Sequence, residues 1–99
     1  MIRGSTPTHR FKLPIDTKNL SKIKIIYAQA DEILFEKDLN ACTCDGDVVT
    51  VKLTQEETFK FDCKKDVQIQ LRVRTTSGDV IPSNIKIVDV GKCLDDEVL

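Results

Sequence analysis

Ninety-nine residues, 40% of them hydrophobic and 31% charged with a net charge of −1, describe one folded domain rather than a disordered chain. The charge balance argues against a general nucleic-acid binder. No apolar run approaches the roughly 20 residues of a membrane-spanning helix, and Met1–Thr8 lacks the apolar core of a signal peptide, so cytoplasmic synthesis with no membrane partner is expected.

The charge is unevenly spread, with six basic residues against only Asp16 in residues 1–28 and a negative excess over residues 29–99. Such asymmetry suits either solvated strand faces, the favoured reading, or head-to-tail association of copies. Thr8 to Ile15 alternates, with Phe11, Leu13 and Ile15 on one side and Arg10 and Lys12 on the other, which predicts a strand. Pro14 cannot donate to a ladder, so the strand lies at an edge or stops there. Asp16 to Asn19 is a turn rich in side chains that bond local backbone. Ser21 to Ala28 predicts a second strand, burying Ile23, Ile25 and Tyr27 and exposing Lys22, Lys24 and Ile26.

Gln29 to Glu32 reads as a hairpin connection and Ile33 to Leu39 as a third strand that brings Phe35 to the core. A helix over Ala28 to Leu39 competes, because Ala, Glu, Leu and Lys favour helices. The regular spacing of short strands on either side favours the strand. Asp45-Gly46 stands between two alternating runs, the strongest short-range hairpin signal, and turns Val49, Val51 and Leu53 inward. Thr54-Gln55-Glu56-Glu57 fits a capping box, which predicts one helical turn at Gln55 to Phe59 with Phe59 or Phe61 pinning the corner.

Val67 to Thr76 is the clearest strand of the chain, with Val67, Ile69, Leu71 and Val73 buried between Gln68, Gln70, Arg72 and Arg74. One polar face implies an antiparallel sheet covered on one side only. Ser77-Gly78-Asp79 is a turn, and Val80 to Val90 is a last strand interrupted by Pro82, expected to bury Ile85 and Ile87. Residues 94–99 form an acidic tail. Seven or so strands with turns every 8 to 12 residues predict an all-β fold, a single antiparallel immunoglobulin-like β-sandwich over residues 1–99 with one short helical turn.

Residues able to carry chemistry are sparse. Cys42 and Cys44 share a strand face, but Cys63 and Cys93 would both have to join them to complete a zinc site. Two disulfides need export, which nothing in the sequence signals. Reduced cysteines, used as small apolar residues or left partly exposed, are the favoured reading. His9, the sole histidine, falls in phase with Phe11 and Leu13 and reads as an ordinary strand residue. No serine sits in a nucleophile elbow, and no phosphate loop or dinucleotide fingerprint occurs. The expectation is a protein that is not an enzyme and needs no cofactor and no metal. Gln68, Gln70, Arg72 and Arg74 form a row of long amphipathic side chains and are the candidate protein-binding residues. Edge strands are a second candidate, because unpaired backbone invites strand addition.

Three stretches also carry a resemblance: Ile2 to Thr8 followed by Phe11, Leu13 and Pro14; Val48 to Thr58; and Val67 to Asp79 with the closing strand. Together they resemble small proteins encoded in phages and prophages of Gram-positive gut bacteria. The succession of a Leu-Thr-x-Glu-x-Thr turn, a strand ending in Arg-Val-Arg and a Gly-Asp turn is similar to the N-terminal immunoglobulin-like domain of phage upper-baseplate proteins. That domain attaches a receptor-binding assembly to the tail. The resemblance implies a phage structural or accessory protein, of virion or tail-baseplate type, made in the bacterial host cytoplasm. Its partners would be other phage structural proteins or further copies of itself as a homo-oligomer. The alternatives are a module binding a host protein or carbohydrate through its loops and a zinc-stabilised regulatory domain. Sugar stacking is disfavoured by a chain with one Tyr and no Trp.

Overall fold

A computed structural model describes residues 1–99. The strands are β1 (Thr8–Lys12), β2 (Leu20–Gln29), β3 (Glu32–Asp38), β4 (Cys42–Asp45), β5 (Val48–Lys52), β6 (Val67–Thr75), β7 (Val80–Pro82) and β8 (Lys86–Val88). The one α-helical turn, α1, spans Gln55–Thr58. The chain is mostly β, and every strand pairing is antiparallel. A three-stranded sheet has the order β1-β5-β4 and a second sheet the order β3-β2-β6-β7, with β8 also on β6.

Alternation places one face of each sheet in a shared core. Val49 and Val51 of the first sheet join Ile23, Ile25, Tyr27, Val67, Ile69, Leu71 and Val73 of the second in one buried cluster, closed by Leu13, Leu20, Leu53, Phe61 and Val90. A fully buried Leu, Ile or Phe side chain contributes roughly 1.5–3 kcal/mol, so these rows supply the main driving force.

Local chemistry sets the connections. β2 and β3 are joined by Ala30 and Asp31, both at positive φ (50° and 63°), as a type I′ turn requires. Gly46, at φ 58°, opens the β4–β5 turn. The capping box forms as read: Thr54 Oγ1 accepts from the Glu57 amide at 3.2 Å, and Glu57 Oε1 accepts from the Thr54 amide at 2.8 Å. Lys37 on the inner side of β3 also donates to Glu57, at 2.6 Å, tying α1 to the opposite sheet. Gln29 is buried because its amide donates to the carbonyls of Asp62 and Lys65 and its oxygen accepts from the Asp62 amide.

The last strand departs from the expectation. Pro82 ends β7, residues 83–85 leave the ladder, and β8 resumes in a phase that pairs Ile87 with outward-facing Gln68. Ile85 and Ile87, expected in the core, are therefore 52% and 56% exposed. Ser83 holds the break, its amide donating to the Leu71 carbonyl at 2.7 Å while its Oγ accepts from the Leu71 amide at 2.9 Å. Phe61, buried to 1% exposure, pins the corner after α1, whereas Phe59 stays half-buried.

Candidate functional site

The outer face of the second sheet is where the structure gathers the candidate residues. Gln68, Gln70, Arg72 and Arg74 all point out from β6, an inner strand of that sheet with β2 on one side and β7 and β8 on the other. They divide into two kinds. Gln68 braces the strained β2–β3 turn: its Nε2 donates to Asp31 Oδ1 at 2.9 Å, and its Oε1 accepts from the Asp31 amide at 2.8 Å. Gln70 Nε2 donates to the Ser83 carbonyl at 3.0 Å and so holds the β7–β8 break. Arg72 and Arg74 are exposed and make no ion pair.

Register brings two further cations to them. Lys24 lies directly opposite Arg72, and Lys22 opposite Arg74. Like charges facing each other across an antiparallel pair are destabilising. Only Lys24 has a neighbouring acid, Glu36 at 3.2 Å. The four cations surround a shallow depression of about 230 Å³ that Val80 also lines. Beyond Gln70 the same face becomes apolar, with a second depression of about 170 Å³ lined by Ile26, Ala28, Ile33 and Ile85 beside Gln68. Ile33, Ile85 and Ile87 are each more than half exposed.

Sequence reasoning placed Lys22, Lys24 and Ile26 on an outer surface but did not join them to the β6 row. Only the β2–β6 register does so. Ile85 and Ile87 were missed because the phase change at residues 83–85 has no sequence signal beyond Pro82 itself.

The remaining candidates are separate from this face. His9 Nδ1 lies 2.7 Å from Tyr27 Oη at the edge of an aromatic group in which Tyr27 stacks on Phe35. Burial, with Lys86 nearby, lowers the His9 imidazole below its ordinary value of 6.5. Burial likewise raises the Tyr27 phenol. Both favour neutral groups joined by a hydrogen bond in a packed core, with no carboxylate to orient the imidazole. Cys42 and Cys44 share a face of β4, opposite Val51 and Val49. Burial, reinforced by Cys44 and Asp38, pushes the Cys42 thiol up, away from the thiolate that a nucleophile or ligand needs. All four cysteines are free, and no three His, Cys, Asp or Glu side chains converge on a point where an ion could bind. No helix is long and apolar enough to cross a membrane. No protein-family profile, curated protein or solved structure matches the chain.

Proposed function

We propose that this chain is a non-enzymatic docking component, a phage structural or accessory protein whose outer sheet face binds the surface of another assembly protein. The observation that carries the reading is the unrelieved basic cluster of Lys22, Arg72 and Arg74 on the same sheet face as the exposed Ile33, Ile85 and Ile87. Facing cations are a local conflict that costs stability, and such conflicts gather at functional surfaces. An acidic patch on a partner resolves it, while Ile33, Ile85 and Ile87 supply apolar area, the usual make-up of a specific interface. The strand order is in keeping with the immunoglobulin-like part of the resemblance: we read β1-β5-β4 against β3-β2-β6-β7 as strands B-E-D against C′-C-F-G of such a sandwich, with α1 between E and F.

The phage setting rests on the sequence resemblance and is tested by the composition of particles. Quantitative mass spectrometry of phage particles released from the native host after prophage induction, and purified through two density gradients, should recover peptides of this chain in fixed ratio to capsid or tail proteins. Their absence from clean particles would remove the virion role.

A further inference from the structure

A second interaction surface lies on another side of the molecule. β1 is an edge strand, paired with β5 on one side and with no segment on the other. Its phase on β5 is set at both ends: the Leu53 amide donates to the Pro7 carbonyl and the Leu13 amide to the Asp47 carbonyl. Odd-numbered residues therefore face β5, and the N–H and C=O groups of Thr8, Arg10 and Lys12 point to the open edge.

That edge borders a groove rather than open solvent. One depression of about 480 Å³ separates β1 from β7, with Phe11, Leu13, Leu71, Val73 and Ile81 on its walls. A second, of about 300 Å³, continues it toward β8 and is lined by His9, Ile69, Lys86 and Val88. Arg10 and Phe11 line both, so the two form one seam along β1. The seam is apolar inside and basic at its rim, where Arg10, Lys12 and Lys86 make no ion pair.

We propose that β1 accepts an extended segment of a partner polypeptide as an added strand, apolar residues entering the seam and acidic residues meeting Arg10, Lys12 and Lys86. Backbone hydrogen bonds to Thr8, Arg10 and Lys12 give affinity and the depressions select the alternate side chains, as in other cases of strand addition. Charge decides between occupants. A second copy of β1 in antiparallel register about Arg10 would set Arg10 against Arg10 and each Lys12 against Thr8, leaving every rim cation without an acid, whereas a segment carrying Asp or Glu between apolar residues neutralises the rim. The site is distinct from the outer sheet face, so variants at Arg72 and Arg74 leave it unchanged.

The test uses a fluorescein-labelled peptide, Thr-Val-Glu-Val-Glu-Ile-Thr, and a control with both Glu replaced by Lys, titrated with the full chain. Amide hydrogen exchange is followed by NMR. The first peptide should bind and slow exchange at Thr8, Arg10 and Lys12, with Phe11 and Leu13 unchanged, and the control should bind at least about tenfold more weakly. Arg10→Pro removes an edge donor without touching the β5 ladder and should abolish binding. Arg10→Glu with Lys12→Glu, which keeps every backbone donor, should reverse the preference to the Lys peptide. No binding, binding unaffected by both variants, or protection at β3 or β4 instead would overturn the proposal. So would the same protection appearing with protein concentration alone, which would make the occupant a second copy.

Discussion

Glu57→Ala is expected to cost about 3 kcal/mol of stability and roughly 15 °C in Tm, more than any other exposed or half-exposed carboxylate. Two functions are lost together. The Glu57 carboxylate closes the capping box on the Thr54 amide and pairs with Lys37, whose side chain is only 14% exposed. Loss of a cap alone costs about 1 kcal/mol, and the remainder arises because a mostly buried ammonium keeps its desolvation penalty and loses its partner. Lys37→Met, which replaces the ammonium with an apolar chain of similar length and leaves the cap intact, should therefore be much milder. Urea unfolding of the three proteins decides the matter. Equal losses for Glu57→Ala and Lys37→Met would contradict it.

The same carboxylate predicts a pH dependence. Burial by itself would raise the Glu57 carboxyl, but hydrogen bonds from Lys37 and the Thr54 amide outweigh it and hold the group below its ordinary 4.5. As pH falls through 4.5 the unfolded chain takes up this proton before the folded one, so the stabilisation present above that pH is lost progressively below it. His9 acts in the same direction at higher pH: the unfolded imidazole protonates near 6.5 and the folded one lower, so its contribution fades as pH drops below 6.5. Thermal melts from pH 7.5 to 3 should show both declines in the native chain. In Glu57→Ala the decline below pH 4.5 should shrink while that near 6.5 remains.

Gly4→Ala is the second large effect, about 3 kcal/mol, from two independent causes. Gly4 has φ 80°, and an added Cβ would lie 2.6 Å from Cζ of the Phe59 ring. The ring is held from its other contacts. The Arg3 guanidinium lies 5.2 Å from its centroid while donating to the Phe59 and Phe61 carbonyls at 2.9 and 2.8 Å. Phe59→Leu in the Gly4→Ala background should recover the steric part, leaving the backbone strain. A double-mutant cycle by chemical denaturation measures this coupling, and strict additivity would contradict the packing argument.

What the residues revealed by themselves follows the range of the interaction involved. β6 was legible to within a residue because Val67, Ile69, Leu71 and Val73 alternate with polar residues and nothing interrupts them. The capping box at Thr54 and the turns at Gly46 and Gly78 were legible because their chemistry is local. Three features were not. Lys37 meeting Glu57 joins strand β3 to a helical turn some 20 residues on. The facing of Lys22 and Lys24 with Arg74 and Arg72 depends on strand register, which no short-range pattern specifies. Ile85 and Ile87 kept the alternation of a buried strand, and three irregular residues before β8 turned that phase to solvent. Of the four candidate residues, Gln68 and Gln70 are hydrogen-bonded within the fold, while Arg72 and Arg74 are exposed and make no ion pair, a division that the alternation of β6 does not reveal.

The proposal that the outer sheet face is a protein interface is tested most directly by zero-length carbodiimide cross-linking in cells that produce the chain from its own gene. This reagent joins lysine amines only to carboxylates with which they are in contact. Peptide mapping should find Lys22 and Lys24 joined to Asp or Glu of another polypeptide, with those links lost when Arg72 and Arg74 are changed to Glu. Cross-links that arise only from lysines elsewhere, such as Lys60, Lys64 and Lys65, or that persist in the charge-reversed variant, would contradict the account.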